Sequence, residues 1–183
     1  PWNGDITFLF DKGTENILNL NIRIPSWLRS NQPIPDGLYY FGASYNPANT
    51  YSVSVNGMKV AASVGTNGYI QLSRKWNKGD RVQIHFDMPV KRVYTNTLVQ
   101  ANHGRVALMR GPLLYSLEGA DNNFNVLKMV LPESAAIRAQ HAPGLLGGVT
   151  ILKGYGIADS KPVEFKAIPY YSWDNRGIYQ MAT

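Results

Sequence analysis

The chain has 183 residues, of which 44% are hydrophobic and 16% charged, a composition that indicates a globular protein and excludes a disordered one. It contains no cysteine, so disulfide scaffolds, thiolate zinc sites and cysteine nucleophiles are excluded within this sequence. Its 18 Lys and Arg against 12 Asp and Glu give a net charge of +6. This charge is spread evenly over both halves, which favours a solvated surface and no nucleic-acid partner. No apolar run approaches the ~20 residues of a membrane-spanning helix.

The first half alternates apolar and polar residues in the pattern of β-strands that bury one face. Four segments show this alternation: 18–24, 51–55, 69–72 and 82–86. Pro25 ends the first of them, because proline cannot donate to a strand ladder. Asn56-Gly57 favours positive φ and predicts a two-residue hairpin turn. The turn-forming residues 74–80 predict that the third and fourth segments pair as a hairpin.

The second half contains longer apolar runs. Residues 106–109 and 113–117 predict strands buried on both faces, with Arg110-Gly111-Pro112 as a bulge or tight turn between them. Further strands are predicted at 126–131, 149–152 and 163–168. Residues 132–141 are the one segment that fits a helix, with proline at its start and three alanines inside.

Together these elements predict an all-β fold. Strands recur every 10–15 residues without a helical period, which is typical of β-sandwiches. We therefore expect two consecutive antiparallel β-sandwich domains of jelly-roll type, over residues 1–91 and 92–183.

Candidate catalytic and metal-binding residues are sparse. His85, His103 and His141 are isolated in the sequence, so no metal site is predicted. Glu118 and Asp121 are near enough to share a cleft as the two carboxylates of a glycosidase. A Glu-x-x-Asp-Asn string at a strand end more often organises a turn, however. No catalytic residue and no cofactor is therefore predicted in this sequence.

Residues 170–177 form the densest cluster of large aromatic and polar groups. In an extended segment, Tyr171 and Trp173 would share a face, with Tyr170 on the other. Trp173, Tyr171 and Arg176 are therefore the candidate carbohydrate-binding residues, since flat rings stack on sugars and arginine offers a fork of donors. The alternative interpretation is that Trp173 and Arg176 anchor the sandwich, and that Trp173→Ala costs stability and not affinity for sugar.

Nine strings occur in order along nearly the whole chain: 1–5, 23–27, 55–57, 68–80, 88–90, 104–108, Arg110-Gly111-Pro112-Leu113-Leu114-Tyr115, 118–122, and 167–177, which contains Ile168-Pro169-Tyr170-Tyr171-Ser172-Trp173-Asp174-Asn175-Arg176-Gly177. In this order they resemble the C-terminal part of the β-L-arabinofuranosidase family, glycoside hydrolase family 127.

The resemblance implies an N-terminal (α/α)6 barrel followed by two β-sandwich domains, and this sequence matches the sandwiches only. It also implies a retaining mechanism in which zinc, three cysteines and glutamates of the barrel do the chemistry, with one cysteine as nucleophile. None of those residues is carried over to this cysteine-free chain. We therefore expect a non-catalytic region that packs against its own barrel domain and shapes one rim of the pocket. Two alternatives stay open: a carbohydrate-binding module for arabinose-containing carbohydrate, and a dimerisation or interaction domain that forms a homodimer.

Overall fold

The computed structural model describes residues 2–30, 32–34, 37–43 and 50–183. The all-β prediction is confirmed, since the described strands pair antiparallel throughout. The strands are β1 (Asp5–Leu9), β2 (Leu18–Arg23), β3 (Tyr39–Phe41), β4 (Tyr51–Val55), β5 (Met58–Lys59), β6 (Tyr69–Arg74), β7 (Arg81–Phe86), β8 (Val90–Thr95), β9 (Ala107–Arg110), β10 (Leu113–Glu118), β11 (Ile137–Ala142), β12 (Val149–Ala158), β13 (Lys161–Pro169) and β14 (Met181–Ala182). The helical elements are α1 (Ser26–Arg29) and 3-10 turns at Gln100–Asn102, Gly119–Asp121, Val126–Lys128 and Tyr170–Ser172. None of the helices in the described ranges has the length and apolar character needed to cross a membrane.

The described chain forms two compact units. Unit 1 contains residues 3–30 and 50–88, and unit 2 contains residues 2, 32–34, 37–43 and 89–183. This division differs from the expected boundary after Lys91, because β8 begins before that residue and pairs with β9 of the same sheet. It also moves β3 into unit 2, where this short strand hydrogen-bonds to β8.

Unit 1 has two sheets around one core. A four-stranded sheet has the order β1-β7-β4-β5, and β2 pairs with β6 in a second sheet. The buried side chains come from both sheets: Ile22, Ile24, Leu28, Val53, Val55, Ile70, Leu72, Trp76, Val82, Ile84 and Phe86. The predicted turn between β4 and β5 is confirmed, with φ of 52° at Asn56 and 81° at Gly57.

The predicted hairpin between residues 69–72 and 82–86 is wrong. β6 pairs with β2, whereas β7 pairs with β1 and β4, so the link between β6 and β7 passes from one sheet to the other. Trp76 in this link is fully buried and stacks on Phe10, with ring centroids 4.3 Å apart. Its indole N–H donates to the carbonyl of Leu18 at 3.3 Å. A tight turn would leave this large ring in water, so its burial favours the crossing.

Asp80 ties this link to the neighbouring hairpin turn. Its carboxylate accepts the backbone N–H of Asn77 and the side-chain amide of Asn56, each at 2.8 Å. These two donors, the backbone one first, hold the pKa of Asp80 below its ordinary value. Asn56 in turn accepts the N–H of Arg81 at 2.8 Å, so one carboxylate fixes both turns at the start of β7.

Unit 2 is built on one eight-stranded sheet. Its order is β11-β12-β13-β10-β9-β8-β3, with β14 beside the end of β10. Alternate residues of the long strands enter two clusters, so that Leu152 and Ala167 lie in one and Ile151 and Ile168 in the other. Residues 115–118 are all buried, which confirms that β10 is covered on both faces. The turn before it is also confirmed, with Gly111 at φ 56° joining β9 to β10.

Two elements predicted for unit 2 are wrong. Residues 132–141 are not helical, because residues 137–142 pair with β12 over six positions as strand β11. Ten residues make a marginal helix, and the unpaired edge of β12 offers that segment a hydrogen-bonded alternative. Residues 126–131 contain a 3-10 turn followed by a single bridge from Val130 to Ile157, and no strand.

We predict that Trp76→Ala lowers the free energy of unfolding of unit 1 by about 3–5 kcal/mol, because it removes a fully buried ring and leaves a cavity. Urea unfolding followed by far-UV circular dichroism measures the change. Met58→Ala, at an exposed position of the same unit, is the control and should change stability little. An equally small effect at Trp76 would contradict the role of this ring in the core.

Candidate functional site

The segment after β13 folds back over the sheet of unit 2. Pro169 ends β13, and residues 170–172 form a 3-10 turn closed by the Ser172 hydroxyl, which donates to the Pro169 carbonyl at 2.7 Å. Asp174 then adopts a φ of 59° and Gly177 a φ of 120°, so the predicted tight turn is present. Trp173 packs on the buried residues Val149, Ile151 and Ile168 of the sheet.

Arg176 joins this segment to two carboxylates at the end of β10. Its guanidinium donates to Glu118 and, through both terminal nitrogens, to Asp121; the bond from Nη1 to Asp121 Oδ1 is 2.9 Å. The other oxygen of Glu118 accepts the backbone N–H of Asp174 at 3.0 Å. Glu118 is 1% exposed and Arg176 25%. Hence the two carboxylates attach the 170–177 segment to the end of β10.

Two further groups complete the cluster. Lys166 places its ammonium 3.4 Å from Asp121. Asn122, which is buried, accepts the N–H of Lys166 at 2.8 Å and donates to its carbonyl at 2.9 Å. It also donates to the carbonyl of Glu118 at 2.8 Å. The Asn122 amide therefore takes the place of β10 as the hydrogen-bonding partner of β13 at Lys166, one residue beyond the last paired position.

The charges of the cluster compensate one another. Burial raises the pKa of Asp121, but the hydrogen bonds and positive charges of Arg176 and Lys166 outweigh burial and hold that pKa below its ordinary value. The hydrogen bonds that Arg176 donates to Asp121 and, to a smaller extent, to Glu118 raise the pKa of Arg176 against the opposing effect of burial. Asp121 is thus kept ionised by its neighbours, and Arg176 stays a cation.

The three predicted carbohydrate-binding residues lie in different environments. Arg176 is engaged by carboxylates, Trp173 is partly buried, and Tyr171 is 61% exposed. The expected alternation of Tyr171 and Trp173 on one face is wrong, because a 3-10 turn brings residues i and i+3 together. Tyr170 and Trp173 are therefore the neighbours, with ring centroids 6.1 Å apart. For Arg176 the geometry supports the anchoring interpretation, and carbohydrate binding by Tyr171 stays a prediction.

The cluster has the chemistry of a structural ion network. A glycosidase needs one protonated carboxyl group and one free carboxylate beside the sugar. Here one guanidinium binds both Glu118 and Asp121, and the first of them is closed off from solvent. The turn-organising interpretation of this string therefore fits the structure better than an acid–base pair.

The zinc site that the family resemblance implies for the barrel does not fit this chain. The sequence contains no cysteine to supply thiolate ligands. Within the part of the chain that the structure describes, His, Asp and Glu side chains form no group of three placed to hold a metal ion. His85 contacts Asp5, with 2.6 Å between its Nδ1 and the carboxylate, on the surface of unit 1.

Sequence reasoning found Glu118, Asp121 and Arg176 as separate signals but did not join them. It missed Lys166 and Asn122. The one signal for Asn122 was its place in the string Glu-x-x-Asp-Asn, and Lys166 carries no local signal, since its partner Asp121 is 45 residues away.

Comparison with known proteins gives matches along the whole chain. Residues 1–88 match the GH127 middle domain of β-L-arabinofuranosidase, and residues 90–183 match the C-terminal domain of glycoside hydrolase family 127. The chain is 28% identical to the non-reducing end β-L-arabinofuranosidase of Bifidobacterium longum subsp. longum, an alignment that covers 99% of this chain and 28% of the relative.

Solved structures give the same result. A GH127 β-arabinofuranosidase is similar with a TM-score of 0.87 and 38% identity, over 99% of this chain and 29% of the other. A GH127 β-L-arabinofuranosidase from Geobacillus stearothermophilus T6 is similar with a TM-score of 0.79 and 32% identity, over 100% of this chain and 28% of the other. The chain thus spans less than a third of the length of each relative.

We predict that Arg176→Met lowers the free energy of unfolding of unit 2 by about 3–5 kcal/mol near neutral pH, because two buried carboxylates lose their shared partner. In the wild type the lowered pKa of Asp121 stabilises the fold above the ordinary value of 3.8, and this contribution is lost as the pH falls below it. In the variant, Arg176 no longer offsets the effect of burial on Asp121. Protonation of this carboxyl group at lower pH therefore restores part of the lost stability. The difference in free energy of unfolding between wild type and variant should therefore become smaller from neutral pH to about pH 4.

Urea unfolding across this pH range measures the difference. Arg105→Met, an exposed arginine before β9 in the same unit, is the matched control and should be neutral at every pH. If Arg176→Met lowers the free energy of unfolding equally at neutral pH and at about pH 4, the side chain acts through packing alone.

Proposed function

Because this chain belongs to glycoside hydrolase family 127, we propose that it is a non-catalytic region of a β-L-arabinofuranosidase, with the catalytic residues carried by another part of the polypeptide. In this proposal the two units support the helical barrel that the family resemblance implies and shape one rim of its pocket. The substrate is a terminal β-linked L-arabinofuranose, as the names of the relatives indicate. Zinc belongs to the barrel.

The observation that carries the proposal is the state of Glu118 and Asp121. They are the pair that the sequence singled out as glycosidase-like, and Arg176 binds both of them. A proton donor and a nucleophile must each reach the reacting atoms. Two carboxylates that share one guanidinium under the 170–177 segment provide neither a proton donor nor a nucleophile, which supports a structural role.

A carbohydrate-binding module is the second candidate. Tyr171 favours it, because this ring stays exposed on a segment that the ion network holds in place. Exposed aromatic rings on rigid supports are suited to stacking on sugars. The two candidates differ in where the sugar is bound: in the barrel pocket for the first, and on this chain for the second.

We predict that the 183-residue chain alone does not hydrolyse an aryl β-L-arabinofuranoside at any pH. Release of the aryl group measured by absorbance checks this. Turnover above background that disappears in Glu118→Gln, with an unchanged circular dichroism spectrum, would overturn the proposal.

A chimera tests the supporting role directly. Replacing the matching 29% of the 38% identical β-arabinofuranosidase with this chain should give an active enzyme, since the fold agrees over that region. Arg176→Met in the chimera should lower the temperature of inactivation and leave KM unchanged, because the ion network supports the fold and does not touch the substrate. A large rise in KM at unchanged thermal stability would place Arg176 in the substrate site instead.

A further inference from the structure

Unit 2 has a cleft of about 440 Å³ beside β13. It is lined by Asp121, Asn123, Phe124, Lys153, Val163, Glu164, Phe165 and Lys166. Its volume falls in the range of pockets that hold small organic ligands. Nothing in the proposed function uses this cleft.

The cleft follows an open strand edge. β10 pairs with β13 only between Ala167 and Pro169, and the amide of Asn122 closes the peptide of Lys166. Peptide groups alternate in direction along a strand, so the next ones to face this side belong to Glu164 and Pro162. Pro162 has no N–H to donate. An added peptide strand would find little to pair with here, which disfavours a peptide ligand.

Two lysines face each other in the cleft wall. Lys153 of β12 is directly opposite Lys166 of β13. The side chain of Lys166 is bound to Asp121, whereas among the described residues the side chain of Lys153 has no hydrogen bond or ion pair. Like charges placed directly opposite each other on a sheet are destabilising. The fold therefore keeps the half-buried residue Lys153 at a position where its charge lowers stability.

The charges that line the cleft balance, since Lys153 and Lys166 are offset by Asp121 and Glu164. Arg138 of β11, directly opposite Lys153 on its other side, adds one positive charge beside this lining. A free anion therefore meets both attraction and repulsion here. Among the described residues, three cleft side chains lack a partner: Lys153 offers a donor, Glu164 an acceptor, and the amide of Asn123 both. The partly buried ring of Phe124 lies beside them. A neutral ligand that carries several hydroxyl groups on a small ring matches the three polar groups, since each hydroxyl both donates and accepts, and its ring can lie against Phe124.

We propose that this cleft is a carbohydrate-binding subsite of unit 2, in which a neutral sugar lies against Phe124 and hydrogen-bonds to Lys153, Asn123 and Glu164. That the sugar is an L-arabinofuranose unit rests on the proposed function. The subsite holds substrate near the enzyme and takes no part in bond cleavage.

Binding is measured on the 183-residue chain by NMR titration of its amide resonances with methyl β-L-arabinofuranoside, and in a second arm with inorganic phosphate. The sugar should shift resonances of residues 121–124 and 163–166, and phosphate should not. Lys153→Met should reduce the affinity at least about tenfold. Its thermal stability should be equal or higher, because the repulsion between the two lysines is gone. Phe124→Leu keeps the apolar packing but removes the ring, and should also weaken binding.

Lys161→Met, at an exposed lysine on β13 outside the cleft, is the matched control and should bind like the wild type. The proposal is overturned if the sugar shifts no resonances, if the shifts centre on Tyr171, if Lys153→Met binds as well as the wild type, or if phosphate alone occupies the cleft. Hydrolysis by the chain would refute the proposed function but would not affect the conclusion that the cleft binds sugar. An inactive chain that binds no sugar would refute the subsite alone.

Discussion

A carboxylate removed from water must keep a charged partner, and Glu118 is such a group. It lies at the end of β10 with covered sheet on both sides, and its two oxygens are met by Arg176 and by the peptide N–H of Asp174. The chain after β13 therefore has one position in which the charge of Glu118 is compensated. From that position it continues into β14, which pairs with the same end of β10. A buried ion pair is weak evidence for extra stability, but removing its partner is costly, so it fixes where the last segment lies.

The same interaction decides what the carboxylates can do. In a glycosidase the environments of the two acids differ, so that one keeps its proton and the other loses it. In unit 2 one guanidinium serves both, and Lys166 adds a second cation at Asp121. Burial alone would raise the pKa of Asp121, and these cations lower it instead. An environment that keeps the group ionised excludes it as a proton donor near neutral pH.

Local chemistry in the sequence was sufficient for two hairpin turns and for the covered strand β10. Asn56-Gly57 and Gly111-Pro112 both form two-residue turns, because Asn56, Gly57 and Gly111 can adopt positive φ. Pairings between distant segments were not accessible in this way. The turn-like residues 74–80 predict a hairpin, but the burial of Trp76 against Phe10 sends β7 into the other sheet. Residues 132–141 have the alanines of a helix, but residues 137–142 pair with the edge of β12 instead. In both cases a tertiary contact outweighs local preference.

The candidate sites show the same limit. Glu118, Asp121 and Arg176 were all noted, yet their meeting depends on where a segment more than 50 residues later is placed. Lys153 and Lys166 are closer in sequence, and their register is set by the turn at Asp159-Ser160. Both of these residues have positive φ, of 47° and 61°, which is uncommon for residues other than glycine. Nothing in the dipeptide signals a turn as strongly as Asn-Gly does. A shift of one residue at this turn would move Lys153 to the opposite face of the sheet, against Phe165 in the apolar cluster, and would take Leu152 out of that cluster. The cost of burying a lysine there is what makes the observed register, and with it the cleft, the stable one.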